Sequence, residues 1–154
     1  MIDRTDRKII RELQADGRMT NQALAEKAGL SPSPCLRRLR RLEDDGVIRG
    51  YTATVDQDLY GLPINVFVSV KLTRQSEDAI AEFDAAIAGW DEVLDCFLMT
   101  GTRDYLLRVV ASSLEAYERF LKTRLTRLPC VGGIETNFAL GIVKKTAVFP
   151  EIAE

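Results

Sequence analysis

Arg37, Arg38, Arg40 and Arg41 crowd together in the run SPSPCLRRLRRLEDDG, and no acid interrupts them. A guanidinium is a rigid fork of donors that fits a phosphate, or the O6 and N7 atoms of guanine, through two parallel bonds. The chemistry on offer is nucleic-acid recognition, provided that some element holds the cluster outward. The stretch TNQALAEKAGLSPSPCLRRLRRLEDDGVI, which contains it, has the pattern of a helix-turn-helix. In its first half Leu24 and Ala28 share one helical face with Ala25 beside them, while Asn21, Gln22, Glu26 and Lys27 face water. Gly29 tolerates the left-handed backbone of a tight helix exit, Ser31 is placed to cap the next helix, and Pro32 suits its first turn. Cys35, Leu36, Leu39 and Leu42 form the expected buried seam, which leaves the four arginines pointing outward.

Other chemistries find little support in the residue types. The 154 residues include no histidine and three cysteines, Cys35, Cys96 and Cys130, widely spaced and without a CxxC pair. Neither a metal centre nor a disulfide framework is expected, and buried packing is the expected role of the thiols. There is no phosphate-cradling glycine loop and no carboxylate cluster with metal spacing beyond the helix end Glu43-Asp44-Asp45, so neither a catalytic group nor a cofactor is assigned and no enzyme is expected. The opening MIDRTDRKII lacks the apolar core of a signal peptide, and no later run is long enough to span a bilayer. The chain is placed in the cytoplasm.

Charge is divided along the chain. Residues 1–50 hold eleven Lys and Arg against eight Asp and Glu, a net of +3, whereas the remainder carries ten against fifteen, a net of −5. The basic third can meet a phosphate backbone while the acidic part stays off it. So small a patch binds tightly only in more than one copy, as in a dimer on a two-fold symmetric site.

The elements that must position the arginines read as follows. Asp3 caps a support helix with the apolar face Ile9, Ile10 and Leu13, running to Asp16-Gly17. After Asp44-Asp45-Gly46 the segment VIRGYTATVD alternates like a small hairpin wing, from which Arg49 and Tyr51 either touch the DNA backbone or merely close the small core. This is a winged helix-turn-helix over residues 1–55. Residues 56–63 are polar, contain Gly61 and Pro63, and read as a linker. Residues 64–154 then follow the order strand, helix, strand, strand, helix, strand: strands at 64–73, 93–100, 105–111 and 132–145, helices at 76–88 and 114–128, the second stopped by Pro129. That is the ferredoxin-like βαββαβ arrangement, and the fold class is α+β. Apolar residues on its open sheet face, such as Val68, Val70 or Phe138, are expected to be covered by a second copy of the chain.

The sequences IDRTDRKIIRELQADGRMTNQALAEKAGLS, LSPSPCLRRLRRLEDDGVIRGYTATVD and MTGTRDYLLRV, in this order and over nearly the whole chain, resemble the Lrp/AsnC (leucine-responsive/asparagine-responsive) family of transcription regulators. The resemblance implies double-stranded DNA as one partner and a small effector, usually an amino acid, as another. It also implies homodimers formed through the sheet and assembled into larger rings, often octamers. It places Ser33, Pro34, Arg37, Arg38 and Arg41 near the major groove; Asn21, Gln22, Ser31 and Arg40 complete the candidate DNA-binding set, and Arg37 and Arg41 are the foremost contacts. It places Met99, Thr100, Gly101, Thr102, Asp104 and Tyr105 around the effector. There Gly101 permits close backbone approach, turn amides can accept a carboxylate and Asp104 can receive an ammonium, although the same residues also describe a plain hairpin turn in which Asp104 bonds its own backbone. Arg103 either pairs with a carboxylate or faces solvent. The principal reading is an effector-responsive transcription regulator; the alternative is an architectural protein that wraps DNA with little sequence preference and no effector.

Overall fold

Asp3 accepts a hydrogen bond from the Asp6 N–H at 2.8 Å while the Asp6 carboxylate accepts one from the Asp3 N–H at 3.0 Å. This reciprocal cap satisfies two amides that a helix start leaves orphaned, and α1 (Arg4–Ala15) follows. The structure, a computed structural model, describes residues 1–152. Thr20 caps α2 (Asn21–Ala28) by accepting from the Ala23 N–H, and Gly29 closes it at φ 74°, the left-handed exit that favours glycine. Then α3 (Pro32–Asp44) begins without a side-chain cap. The bond expected of Ser31 is not made: a cap accepts from the second or third helical N–H, and the third residue, Pro34, has none.

Around these helices close Ile9, Leu24, Ala25, Ala28, Cys35 and Leu42, all buried, with Leu13, Leu39 and Ile48 packed against them. Leu36 is absent from this core and lies half-buried on the outer side of α3. After α3 the chain turns through Ile48, whose N–H donates to Leu42 O at 2.9 Å, but residues 47–55 form no strand. The hairpin expected there is replaced by a single anchored segment. Tyr51 is drawn back onto the end of α3, donating its hydroxyl to Glu43 Oε1 at 2.8 Å, rather than across to a partner strand. It stays 53% exposed and outside the small core, and partial desolvation, then the Glu43 carboxylate, pushes its phenol up to about 12.

The chain divides into two compact units, one comprising Met1–Thr54 together with the chain from Val143 on, the other Val55–Ile142. The sequence carried the second domain from residue 64 to the end; instead Val143 onward belongs with the N-terminal helices. Two interactions explain this. The Gln14 carboxamide clasps the late backbone, donating to Ala147 O at 2.7 Å and accepting from the Phe149 N–H at 3.0 Å, while Phe149 and Ile152 line an apolar groove with Ile2, Ile10, Ala28 and Val47.

In the second unit β1 (Ile64–Leu72), α4 (Glu77–Ala88), β2 (Val93–Leu98), β3 (Tyr105–Ala111), α5 (Leu114–Thr123) and β4 (Val131–Phe138) give the expected order. All strand pairs are antiparallel, in the sheet order β2-β3-β1-β4. Residues 56–63 belong to this unit too, and Gln57 ties them to the sheet by accepting from Arg108 at 3.1 Å. The second helix ends earlier than Pro129 would require: one 3-10 turn, Leu125–Arg127, replaces its end and drops Leu125 fully into the core. At this end the Thr126 hydroxyl donates to the freed carbonyl of Leu121, and the Thr123 hydroxyl donates to that of Arg119 one turn back.

Val66, Val68, Val70 and Leu72 all face the helices and pack with Phe83, Tyr117, Phe120, Leu107 and Val109. Val68 and Val70 are therefore core residues and not part of an open face. Phe138 shares their side, since it pairs with Val66 and meets Tyr117 edge-on at 5.4 Å. The opposite face carries Phe67 and Phe97, 38% and 53% exposed, with Leu106 directly across from Phe97. Among the described residues no helix is long and apolar enough to cross a membrane.

Candidate nucleic-acid interface and effector turn

A helix places residues three and four apart on one row, so Ser33, Leu36, Arg37, Arg40 and Asp44 line the outer side of α3, and Arg41 borders the same shallow groove. Arg37 and Arg40 are exposed, and among the described residues neither has a carboxylate partner. Arg38 and Arg41 are situated differently. Arg38 Nη1 donates to Asp3 Oδ2 at 2.6 Å and to Asp6 Oδ1 at 2.9 Å, and Arg41 Nη2 donates to Asp6 Oδ2 at 2.5 Å. The expectation that all four point freely outward is thus corrected: two reach back to α1. They do so because Asp6 is fully buried, and a buried carboxylate needs cationic partners.

The remaining candidates separate in the same way. Gln22, Ser31 and Ser33 are exposed and Pro34 is half-buried at the start of α3. Asn21 is turned inward, donating from Nδ2 to Pro32 O at 2.9 Å, so that it fastens α2 to the first residue of α3. Sequence reasoning read Asp3 only as a cap and missed Asp6, and with it the partnership of both with the arginines. The available signal was the stripe of α1: Asp6 occupies the position three before Ile9, on the buried row, where a lone carboxylate is unstable without a cation.

In the second unit the turn between β2 and β3 brings the other candidates together in two layers. Met99, Thr100, Gly101 and Thr102 are exposed, and Gly101 stands at φ 108° with open space where a side chain would begin. Beneath them Asp104 and Tyr105 are buried, 5% and 3% exposed. The Asp104 carboxylate accepts from the Leu72 N–H at 2.7 Å and from Gln75 Nε2 at 2.5 Å, with Lys71 Nζ at 3.9 Å. It is committed to β1 and the loop after it. Tyr105 donates its hydroxyl to Asp84 Oδ1 on α4 at 2.9 Å, and burial first, then that carboxylate, raise its pKa. Arg103 reaches Glu135 Oε2 on β4 at 3.0 Å, so of the two alternatives for it the ion pair is the one formed.

Both acidic networks make stability depend on pH. The Asp6 N–H, then Arg38, hold the Asp3 carboxyl at about 2 instead of 3.8. The Leu72 N–H, then Gln75 and Lys71, hold that of Asp104 below its ordinary 3.8. In each case the folded chain favours the ionised form. The stabilisation is therefore complete above the unfolded value and is lost as pH falls through the folded one. Melting temperatures recorded from about pH 6 to about pH 2 are expected to hold level to near 4 and fall below it; a level profile throughout would contradict these networks.

All three thiols stay free. Cys35 and Cys130 are buried, as expected, whereas Cys96 lies exposed on the edge strand β2; its thiol is nonetheless pushed up to about 11, by desolvation and then by Asp84, which disfavours the reactive thiolate. Among the described residues no cluster could hold a metal ion.

Comparison with known proteins matches both units. Residues 2–49 fit a winged helix-turn-helix DNA-binding model, and residues 65–149 fit the Lrp/AsnC ligand binding domain. The chain is 48% identical over 139 residues to the Bkd operon transcriptional regulator of Pseudomonas aeruginosa, covering 90% of this chain and 91% of that one. It is 41% identical over 145 residues to the leucine-responsive regulatory protein of Salmonella typhimurium, covering 94% and 88%. Among solved structures, a transcriptional regulator of Neisseria meningitidis in complex with L-methionine superposes with a TM-score of 0.92 at 39% identity, covering 97% of both chains. A regulator of the AsnC family from Agrobacterium tumefaciens gives 0.91 at 36% identity, again covering 97% of both.

Proposed function

This chain belongs to the Lrp/AsnC family of transcription regulators, DNA-binding proteins with a ligand-binding domain rather than enzymes, and from that premise we propose that it is a regulator whose grip on DNA is set by a free amino acid. The observation that carries this is the combination of exposed arginines on the outer row of α3, Arg37 and Arg40, without a carboxylate partner among the described residues, and a second unit of the ligand-binding type. The Neisseria relative, so similar over nearly its whole length, holds L-methionine.

Ser33, Arg37 and Arg40 enter the major groove. Gln22, Ser31 and Pro34 approach the phosphates around them, and Arg38 and Arg41 lie at the edge of the interface. Asn21 acts indirectly, by fixing the start of α3. At the other site the exposed backbone of residues 99–102 meets the effector, Gly101 allows it to come close, and Asp104 and Tyr105 hold the turn in shape from below. The chain works in the cytoplasm as a homodimer, formed over the sheet face that presents Phe67, Phe97 and Leu106, and dimers assemble further, as in an octamer. The ligand shifts assembly or affinity only by its differential binding to two states, and coupling of about 1 to 3 kcal/mol is ordinary for such systems.

Calorimetric titration of the full chain with each of the common amino acids tests this. One or a few are expected to bind and to raise the melting temperature; binding by none, together with equal affinity for unrelated DNA, would favour the architectural alternative.

A further inference from the structure

The four arginines of α3 fall into two rows with different charge environments. Arg37 and Arg40 lie on the outer row without a carboxylate partner among the described residues, whereas Arg38 and Arg41, the latter still bordering the outer groove, meet Asp3 and Asp6 through bonds of 2.5 to 2.9 Å. Two carboxylates and two guanidiniums make a group without net charge, and its centre, Asp6, is fully buried. Such charge-assisted bonds to a buried acid are not given up for an exposed phosphate, because the acid would be stranded without a cation.

From this we propose that Asp6 is a specificity-determining residue of the DNA reader. It keeps Arg38 and Arg41 as internal counterions, so that only Arg37 and Arg40 of α3 meet DNA with uncompensated charge. The inference rests on the reading of α3 as the reader. Every guanidinium free to neutralise a phosphate adds affinity for any sequence and steepens the dependence on salt by about 0.9 in logarithmic slope. By withholding two of them Asp6 restrains indiscriminate binding and leaves base reading a larger share of the total. It simultaneously fixes the angle at which α3 packs on α1, since Asp3 and Asp6 are the cap and first turn of that helix and Arg38 and Arg41 lie at the middle and in the second half of the other.

The test uses the full chain and two labelled duplexes, one from upstream of its own gene and one of unrelated mixed sequence, titrated by fluorescence anisotropy between about 50 and 200 mM salt. Asp6→Asn is expected to raise affinity for the unrelated duplex by about fivefold to thirtyfold near 0.15 M salt, according to whether one or both arginines are released, and to steepen the slope by about 0.9 for each. An unchanged slope in folded Asp6→Asn overturns the proposal. Should that variant fail to fold, three single substitutions decide. Arg37→Gln and Arg40→Gln are each expected to flatten the slope by about one, while Arg41→Gln, which leaves Asp6 paired with Arg38, changes it by less than about 0.3. Equal flattening by Arg41→Gln and Arg37→Gln overturns the inference alone. No effect from any of the three overturns the assignment of α3 as reader, and the inference with it.

Discussion

Replacing Arg37 and Arg40 together with alanine is expected to weaken binding to the upstream duplex by at least about thirtyfold per reading head near 0.15 M salt, the loss that follows from two phosphate contacts alone. If either arginine also grips a guanine, a further 1 to 3 kcal/mol or so goes with it. Both side chains are exposed and, among the described residues, without a carboxylate partner, so the melting temperature and the oligomer are expected to stay as they were. Anisotropy and thermal melting on the same preparation check the two halves of this expectation. Undiminished affinity would remove α3 from the interface.

The second large effect is expected from Asp104→Ala. The substitution removes the acceptor for the buried Leu72 N–H and for Gln75, and leaves Lys71 without its nearest carboxylate in that network. An unsatisfied buried donor costs about 1 to 3 kcal/mol, so the unit formed by Val55–Ile142 is expected to lose about 2 to 4 kcal/mol, seen in denaturant melts as an earlier transition. Any amino-acid response would be lost with the turn's shape. Wild-type stability combined with a lost response would instead make Asp104 a direct ligand group, the role that its residue type suggests in the sequence. The Asp104→Asn variant separates the two, since it keeps an acceptor for the Leu72 N–H but not the charge.

Much of this architecture is legible in the chain because its signals are local. Gly29 marks the exit of α2, and Ser76 and Ser113 cap α4 and α5 as short polar residues before apolar stripes do. The order of strands and helices follows from the change of period between them. What escaped reading depends on partners distant in sequence. Asp6 and Arg38 are thirty-two residues apart, Asp104 and Leu72 equally so, and no spacing rule announces either pair. Some misreadings had local remedies. Val66, Val68, Val70 and Leu72 form an unbroken apolar parity in β1 against Asn65, Ser69 and Lys71, and such a parity belongs on the covered face of the sheet. Likewise Pro34 declares in advance that Ser31 has no third helical N–H to cap. The hairpin strands of the wing were misread for another reason: alternation in residues 47–56 is compatible with a strand, but a strand forms only where a ladder partner exists, and Tyr51 finds Glu43 instead.

Effector-dependent DNA binding is tested most directly by one titration. The labelled duplex from upstream of the gene is titrated with the full chain at fixed salt, without additive and then with the amino acid that binds in calorimetry. This ligand is expected to displace the curve by about fivefold or more, as a coupling of about 1 kcal/mol or above requires, and an amino acid that does not bind to leave it in place. Superimposable curves at saturating ligand would contradict effector-dependent binding.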